Sequence, residues 1–457
     1  MKSLPHLVKE GMVATGAAIV VFSIGLTVLI LVTAVPTHNP YVGLFTIIFL
    51  PALVIAGALV FVFGVMLNRP GKRSTEERPT LRKWLLSYFA PDFSRPDQRR
   101  RLVFFLVAGA MEIVVFSTAG FRTAQFMDTP QFCASCHKVM DPEYTVYQSS
   151  SHARVPCVDC HIGSGTSWLV RSKVTGLRQV WHTITNTYPR PITTPVENLR
   201  PARETCEQCH WPQKFSGNIS RTFRHYNTDE KNSQQTTSLI LKVGSGETSR
   251  AEGIHWHISA KVWYLSIDAK RQNIGWVGVE GRDGKLKEYV DTNLAGKVTP
   301  ENISQSKRLM DCIDCHNRAT HVFRSPGELM DMAFARGKMD SSIPFLKDQG
   351  LKALSPVNPS REMAISKVES IEEFYRTKYP EIYAEKKASL DESLKHLNEI
   401  VSLTTFPEMR VTWETHPDNL GHSKSTGCTR CHGKLVAKES GKPLDASCTL
   451  CHDFASR

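Results

Sequence analysis

Six times the chain repeats one pentapeptide, C-x-x-C-H. The copies are Cys133, Cys136 and His137; Cys157, Cys160 and His161; Cys206, Cys209 and His210; Cys312, Cys315 and His316; Cys428, Cys431 and His432; and Cys448, Cys451 and His452. All twelve cysteines of the 457 residues are used, and a histidine follows every pair at once. This is the attachment pattern of c-type haem: two thiols one turn apart add across the two vinyl groups, and the adjacent imidazole ligates the iron. Structural zinc uses C-x-x-C pairs in twos and has no need of a histidine after each. Redox-active C-x-x-C motifs do not come six to a chain, and disulfide scaffolds are short with irregularly spaced cysteines. The pattern predicts six covalently attached haem c groups.

The sixth coordination position decides what such irons do. Six-coordinate iron transfers electrons, whereas an open position binds substrate. Beyond the motifs, residues after 130 hold nine histidines, enough to make five or six irons bis-histidine. The expected second ligands are His152 just before the second motif, His182, His321 five residues after a proximal histidine, and His422 six before a motif. His257, His255 and His416 stand next, and His225 below them. His396 falls in a helical pattern and reads as solvent-facing. Met140, three residues after His137, is a candidate ligand at the first motif; packing without ligation is the alternative.

The elements that position these groups begin with three apolar stretches, Gly11 to Val35, Tyr41 to Leu67 and Leu102 to Phe121. Each has about the 20 residues a bilayer crossing requires, so three transmembrane helices are expected. The first is too long for a signal peptide. Between the second and third, ten Lys or Arg stand against four acids, while the link between the first two has no charge. The positive-inside rule then places the N-terminus and the 68–101 loop in the cytoplasm, and every cysteine outside, on the periplasmic side of the inner membrane.

The charge balance is 56 Lys and Arg against 44 Asp and Glu, a net of +12. Residues 1–101 alone carry +7, leaving +5 for the rest. The basic excess is thus largely a topology signal beside anionic lipid, and no nucleic-acid partner is expected.

The run from Phe132 to His161 reads FCASCHKVMDPEYTVYQSSSHARVPCVDCH. It resembles the NapC/NirT/NrfH family of membrane-anchored quinol dehydrogenases, with a motif, a nearby Met, P-x-Y, S-S-H and the next motif in order. The likeness continues through Lys173, Trp181 and His182 to Cys206 and His210. It implies a first haem beside the membrane that takes electrons from menaquinol in the quinone pool and passes them outward. It also implies a quinol site built from a lysine and an acid, with Lys173 the matching lysine; Arg178 and Gln179 stand where the acid is sought. The family usually has one anchoring helix and four or five haems. The later motifs look more like larger inner-membrane multihaem relatives of metal-respiring bacteria.

Independently, Cys133 follows Phe121 within a dozen residues, at most roughly 40 Å when fully extended. That tether holds the first haem near the headgroups. Glu112, mid-way along the third stretch, is a costly acid at that depth and a candidate for proton handling; a protonated or hydrogen-bonded structural Glu is the alternative.

Between the third and fourth motifs, Ser238 to Val243, Gly253 to Ile258, Val262 to Ile267 and Asn273 to Glu280 read as short strands, with His255 and His257 on one face. From Ala364 to Leu403 the pattern is helical and broken at Pro380, with Leu390, Leu394, Leu397 and Val401 on one face.

The fold class expected is therefore three N-terminal transmembrane helices plus a mainly α, loop-rich multihaem cytochrome c domain with a small antiparallel β insert. The divisions are 1–67, two transmembrane helices; 68–101, a basic cytoplasmic loop; 102–121, the third helix; 122–219, a three-haem region; 220–305, the β-rich insert; 306–363, a fourth-haem region; 364–410, a helical spacer; and 411–457, a two-haem region. The leading function is menaquinol oxidation with electron relay to a periplasmic redox protein or respiratory complex in anaerobic respiration. The alternatives are a relay subunit without its own quinol site, and a reductase of a small nitrogen or sulfur oxyanion at an open iron.

Overall fold

The computed structural model describes residues 4–33, 50–67, 96, 118–119, 121–123, 125–162, 166–196, 201–214, 217–244, 253–281, 284–355, 357–423 and 425–454. The chain divides into two units, residues 1–135 and 136–457.

In the first unit, helices α1 (Leu4–Thr33) and α2 (Leu50–Leu67) meet at small residues. A Cβ on Gly16 would lie 2.4 Å from the Phe61 amide nitrogen, and one on Gly57 would lie 2.9 Å from the Ile19 side chain. Only glycine permits that approach. The expectation of three transmembrane helices is corrected here: among the described residues, no helix is long and apolar enough to cross a membrane. At 18 residues α2 rises about 27 Å, short of a hydrocarbon core of about 30 Å. The longer α1 carries Lys9 and Glu10 in its second turn and buries the hydroxyls of Ser23 and Thr27, the latter donating to Ser23 O at 2.7 Å. The third stretch, with Glu112, and the 68–101 loop apart from residue 96 lie outside the described residues.

The second unit is mostly helical, with two small sheets. Helix α3 (His137–Gln148) and helix α4 (Thr166–Ile184) flank the second motif. Four helices then build the main core: α5 (Pro326–Ala335), α6 (Leu346–Leu354), α7 (Arg361–Lys378) and α8 (Pro380–Thr404). Ser325 and Ser360 cap α5 and α7 by accepting from the amides of Glu328 and Met363, and Pro380 starts α8 where its missing N–H costs nothing. Met330, Leu346, Val368, Tyr375, Leu390, Leu397 and Val401 are sealed between them. The apolar face of α8 is thus consumed internally. His396 is buried on the same helix, its Nδ1 2.8 Å from Glu399 Oε2, rather than facing solvent.

The sheets tie the chain around its motifs. Strands β1 (Ile219–Tyr226) and β2 (Gln234–Leu241) form an antiparallel hairpin. Strands β3 (Val262–Ser266), β4 (Ile274–Glu280) and β5 (Leu286–Val290) form a meander. Three short strands from elsewhere complete them. β6 (Arg308–Leu309), just before the fourth motif, pairs with β3, and β7 (Val436–Ala437), just after the fifth, pairs with β5. β8 (His452–Phe454), which begins at the sixth motif's histidine, pairs with β2. The expected strand Gly253 to Ile258 is instead a turn leading into a one-turn helix, Trp256–Ser259. His255 has helical φ and ψ, so His255 and His257 do not share a strand face.

Candidate functional site

Each motif folds as a tight turn. Cys157–His161, Cys312–Cys315 and Cys448–Cys451 are one-turn helices, and Gly427–Arg430 is a 3₁₀ turn. The histidine amide donates to the carbonyl of the first cysteine in the third, fourth and fifth motifs, at 2.8, 2.8 and 3.2 Å. Both thiols and the imidazole of a motif are thereby drawn together.

The fourth motif is the most strongly braced. Asp311 accepts from the Cys312 amide at 2.7 Å, and Asp314 accepts from the Asp311 amide at 2.8 Å, closing a capping box. Asp314 is buried, accepts from the Tyr264 hydroxyl at 2.6 Å and lies 3.6 Å from Arg271. Burial, and after it Asp314, pushes Tyr264 up to about 12. The capping aspartates were open to discovery in the sequence, since they stand one residue before and two after the motif's first cysteine; Tyr264, fifty residues away, carried no such signal.

Four of the six motif histidines face a histidine from a different part of the chain. Ring centroids lie 6.1 Å apart for His152 and His210, 6.3 Å for His161 and His321, 5.9 Å for His257 and His432, and 6.0 Å for His422 and His452. Two imidazoles on opposite sides of one iron, each bound at roughly 2 Å, put their ring centres about 6 Å apart. The residues present fit haem on this test.

The outer nitrogens are held as ligand imidazoles require. Nδ1 of His321 donates to Glu143 O at 3.0 Å, that of His257 to Ile254 O at 2.9 Å, that of His432 to Asp445 O at 2.6 Å and that of His152 to Ala319 O at 3.2 Å. Each leaves Nε2 for a metal. Burial lowers the proton affinity of His161 and His257 and takes His321 down to about 4, with His161 adding to the effect. A neutral imidazole is the metal-binding form.

Among the remaining candidates, burial lowers His255, and His316 and His257 lower it further, so His255 lies within electrostatic reach of the fourth motif's histidine. Thr183, next to His182, hydrogen-bonds the Cys136 thiol, which runs α4 past the first motif; His182 Nδ1 is 2.7 Å from Thr187 Oγ1. Met140 stands on α3 with its amide donating to Cys136 O at 3.0 Å. His416 is buried, with Nδ1 3.3 Å from Thr194 Oγ1 and no partner at Nε2 among the described residues. His225 pairs instead with Asp331 at 2.9 Å. Lys173 lies on α4, and the side chains of Lys173 and His137 are outside the described residues.

Successive motifs are neighbours. Burial raises Cys160, and Cys206 and Cys209 of the third motif add to it. Cys206 is hydrogen-bonded to Cys312 of the fourth. Burial raises Cys315, with Cys428 of the fifth adding to it, and Cys451 of the sixth is likewise raised by burial and by Cys428. The second to sixth motifs thus form a chain of adjacent sites in sequence order.

Comparison with known proteins agrees. Residues 95–195 match the family model of the NapC/NirT cytochrome c family, N-terminal region. Over 422 residues the chain is 39% identical to the cytochrome c-type protein ImcH of Geobacter sulfurreducens, covering 91% of this chain and 82% of that one. It is 30% identical over 115 residues to the cytochrome c-type protein NrfH of Wolinella succinogenes, covering 24% of this chain and 62% of that one. Over 145 residues it is 27% identical to the denitrification system component NirT of Stutzerimonas stutzeri, covering 28% of this chain and 72% of that one. No solved structure matches. Six motifs in one chain, and identity sustained over most of two chains, make this protein a member of the NapC/NirT family of multihaem c-type cytochromes, electron-transfer proteins with covalently bound haem c.

Proposed function

We propose that the chain is a hexahaem quinol dehydrogenase of the bacterial inner membrane, taking electrons from menaquinol and relaying them to a periplasmic redox protein or respiratory complex in anaerobic respiration. Bound haem supplies reversible one-electron exchange at iron. The protein's part is to fix each group through two thiols and one imidazole, and to set a second ligand against it. In this reading the twelve cysteines form the thioethers, and His137, His161, His210, His316, His432 and His452 are the proximal ligands. His321, His152, His257 and His422 are the second ligands for the motifs of His161, His210, His432 and His452. His255 serves that of His316, and Met140 or His182 the first, with His416 a further buried donor.

The single observation that carries the relay is the set of four imidazole pairs at 5.9 to 6.3 Å, on motifs that adjoin one another. Paired histidines would fill the coordination of an iron bound there, which favours electron transfer over oxyanion reduction.

Quinol oxidation rests on family membership and on Lys173, which shares α4 with His182 beside the first motif. Each quinol gives up two electrons and two protons; Lys173 would orient a quinol oxygen, Glu112 would accept one proton and the other would pass to water, while the two electrons would go one at a time to the first haem. The test is to purify the full chain in detergent, count haems and follow the visible spectrum while adding a reduced menaquinone analogue. Rapid reduction of several haems, blocked by a quinol-site inhibitor, is the expected result. Reduction by dithionite but not by quinol would replace this reading with that of a relay subunit fed by a partner.

A further inference from the structure

We propose that the free edge of the β1–β2 hairpin docks an acidic electron-carrier protein, and that electrons leave through the sixth motif beside it. This rests on the relay reading above.

Strand β1 is the outer strand of the sheet ordered β1, β2, β8. Every residue from Ile219 to His225 is exposed. Phe223 is 54% exposed, and Trp211, just ahead of the strand, 58%. On the other side of the sheet, Leu241 pairs with His452 and Leu239 with Phe454. The open edge is therefore two strand spacings, about 10 Å, from the strand that carries the sixth motif's histidine. The platform is fixed at one end: Asp331 accepts from the Tyr226 amide at 2.9 Å and is paired with buried Lys347 and with His225.

Charge selects the occupant. From residue 208 to 228 the chain has Lys214, Arg221 and Arg224 and no acid. All three are exposed, and none forms an ion pair among the described residues. An aromatic anchor rimmed by unpaired arginines on an open strand edge is complementary to an acidic protein surface. The competing use of edge charges is to block self-association. Charge reversal separates the two, because glutamate protects an edge as well as arginine does but repels an acidic partner.

In the step itself, one electron would pass from the haem that His452 would hold to the ferric carrier, which would become ferrous. No proton or bond changes hands. The experiment reduces the detergent-purified holoprotein with limiting dithionite and mixes it, in stopped flow, with an acidic monohaem cytochrome c, with a basic one, or with uncharged benzoquinone. The wild-type rate with the acidic carrier should fall steeply with salt. The R221E/R224E variant should lose at least about tenfold with the acidic carrier and gain with the basic one, and F223A should lose rate with little change in salt dependence. Benzoquinone rates should be unchanged in all, which also shows that each variant is folded and loaded. An R221E/R224E rate with the acidic carrier within twofold of wild type overturns the proposal. So does a wild-type dimer in sedimentation that R221E/R224E dissociates, since the edge is then a self-interface. Failure of every acceptor to oxidise the reduced haems would instead count against the relay.

Discussion

The ring of His257 stands 5.9 Å from that of His432, and its Nδ1 donates to Ile254 O at 2.9 Å. The two residues are 175 positions apart, and the one-turn helix Trp256–Ser259 and the turn that closes the fifth motif bring them together. If His257 is the second ligand at the fifth motif, as proposed, His257→Gly should keep the wild-type haem content but convert one haem from six-coordinate low-spin to five-coordinate high-spin iron. The electron paramagnetic resonance spectrum should show this, and added imidazole should restore the low-spin signal. His225→Gly, which removes a histidine tied to Asp331, should leave the wild-type haem signals alone. A spectrum of His257→Gly identical to wild type would remove His257 from the ligand set.

Lys347 is sealed in the helical core, its ammonium bonded to Asp331 and to the Tyr226 carbonyl. Lys347→Met leaves the Asp331 carboxylate with only the Tyr226 amide and His225. Removing one member of a buried pair typically costs about 3 kcal/mol or more, because the remaining charge has lost its compensation. Denaturant unfolding should register that loss, and the Asp331→Asn/Lys347→Met double variant should recover part of it. A Lys347→Met protein as stable as wild type would mean the pair is solvated in solution.

What the sequence made legible was local. A C-x-x-C-H motif is specified by five contiguous residues, so all six copies could be read directly, and the break at Pro380 was equally plain. Pairing was not legible, because a second imidazole for a haem would have to come from beyond the few residues beside its own motif. His321 is five residues from His316 yet faces His161; His422 is six before Cys428 yet faces His452. His152, beside the second motif in sequence, faces His210 of the third. The segment Gly253 to Ile258 misled through an alternation of apolar and histidine residues that imitates a strand, while the backbone at His255 is helical. The first strand of the hairpin went unread because, with residues 219 to 225 exposed on both faces, it has no apolar periodicity to detect. The second apolar stretch misled on length, since its described part is an 18-residue helix.

Lys173 and the first motif are linked through α4, whose Thr183 touches Cys136. If Lys173 orients quinol, Lys173→Ala should slow haem reduction by a menaquinol analogue roughly ten- to a hundredfold, the usual range for losing one polar or proton-handling group. Dithionite reduction and haem count should not change. Equal rates with quinol would place the entry point elsewhere, and a parallel loss with dithionite would mean that the lysine supports the fold.

The Tyr264 hydroxyl donates to buried Asp314, the residue that closes the capping box of the fourth motif. Burial and the neighbouring carboxylate take the phenol up to about 12, against about 10 in an unfolded chain. Above pH 10 the unfolded chain releases this proton first while the folded protein keeps it, so the unfolded state binds fewer protons and stability falls as pH rises. The loss runs from about pH 10 to 12 and amounts to roughly 2 to 3 kcal/mol when complete. Tyr264→Phe should cost about 1 to 2 kcal/mol at pH 7, where the buried carboxylate loses a donor. It should also remove this part of the alkaline decline, so the wild-type and variant stability curves converge as pH rises from 10 towards 12. Urea unfolding of the holoprotein across that range measures both effects together. Parallel curves would mean that Tyr264 ionises as easily in the fold as in the unfolded chain, and that Asp314 is braced by Arg271 and the backbone alone.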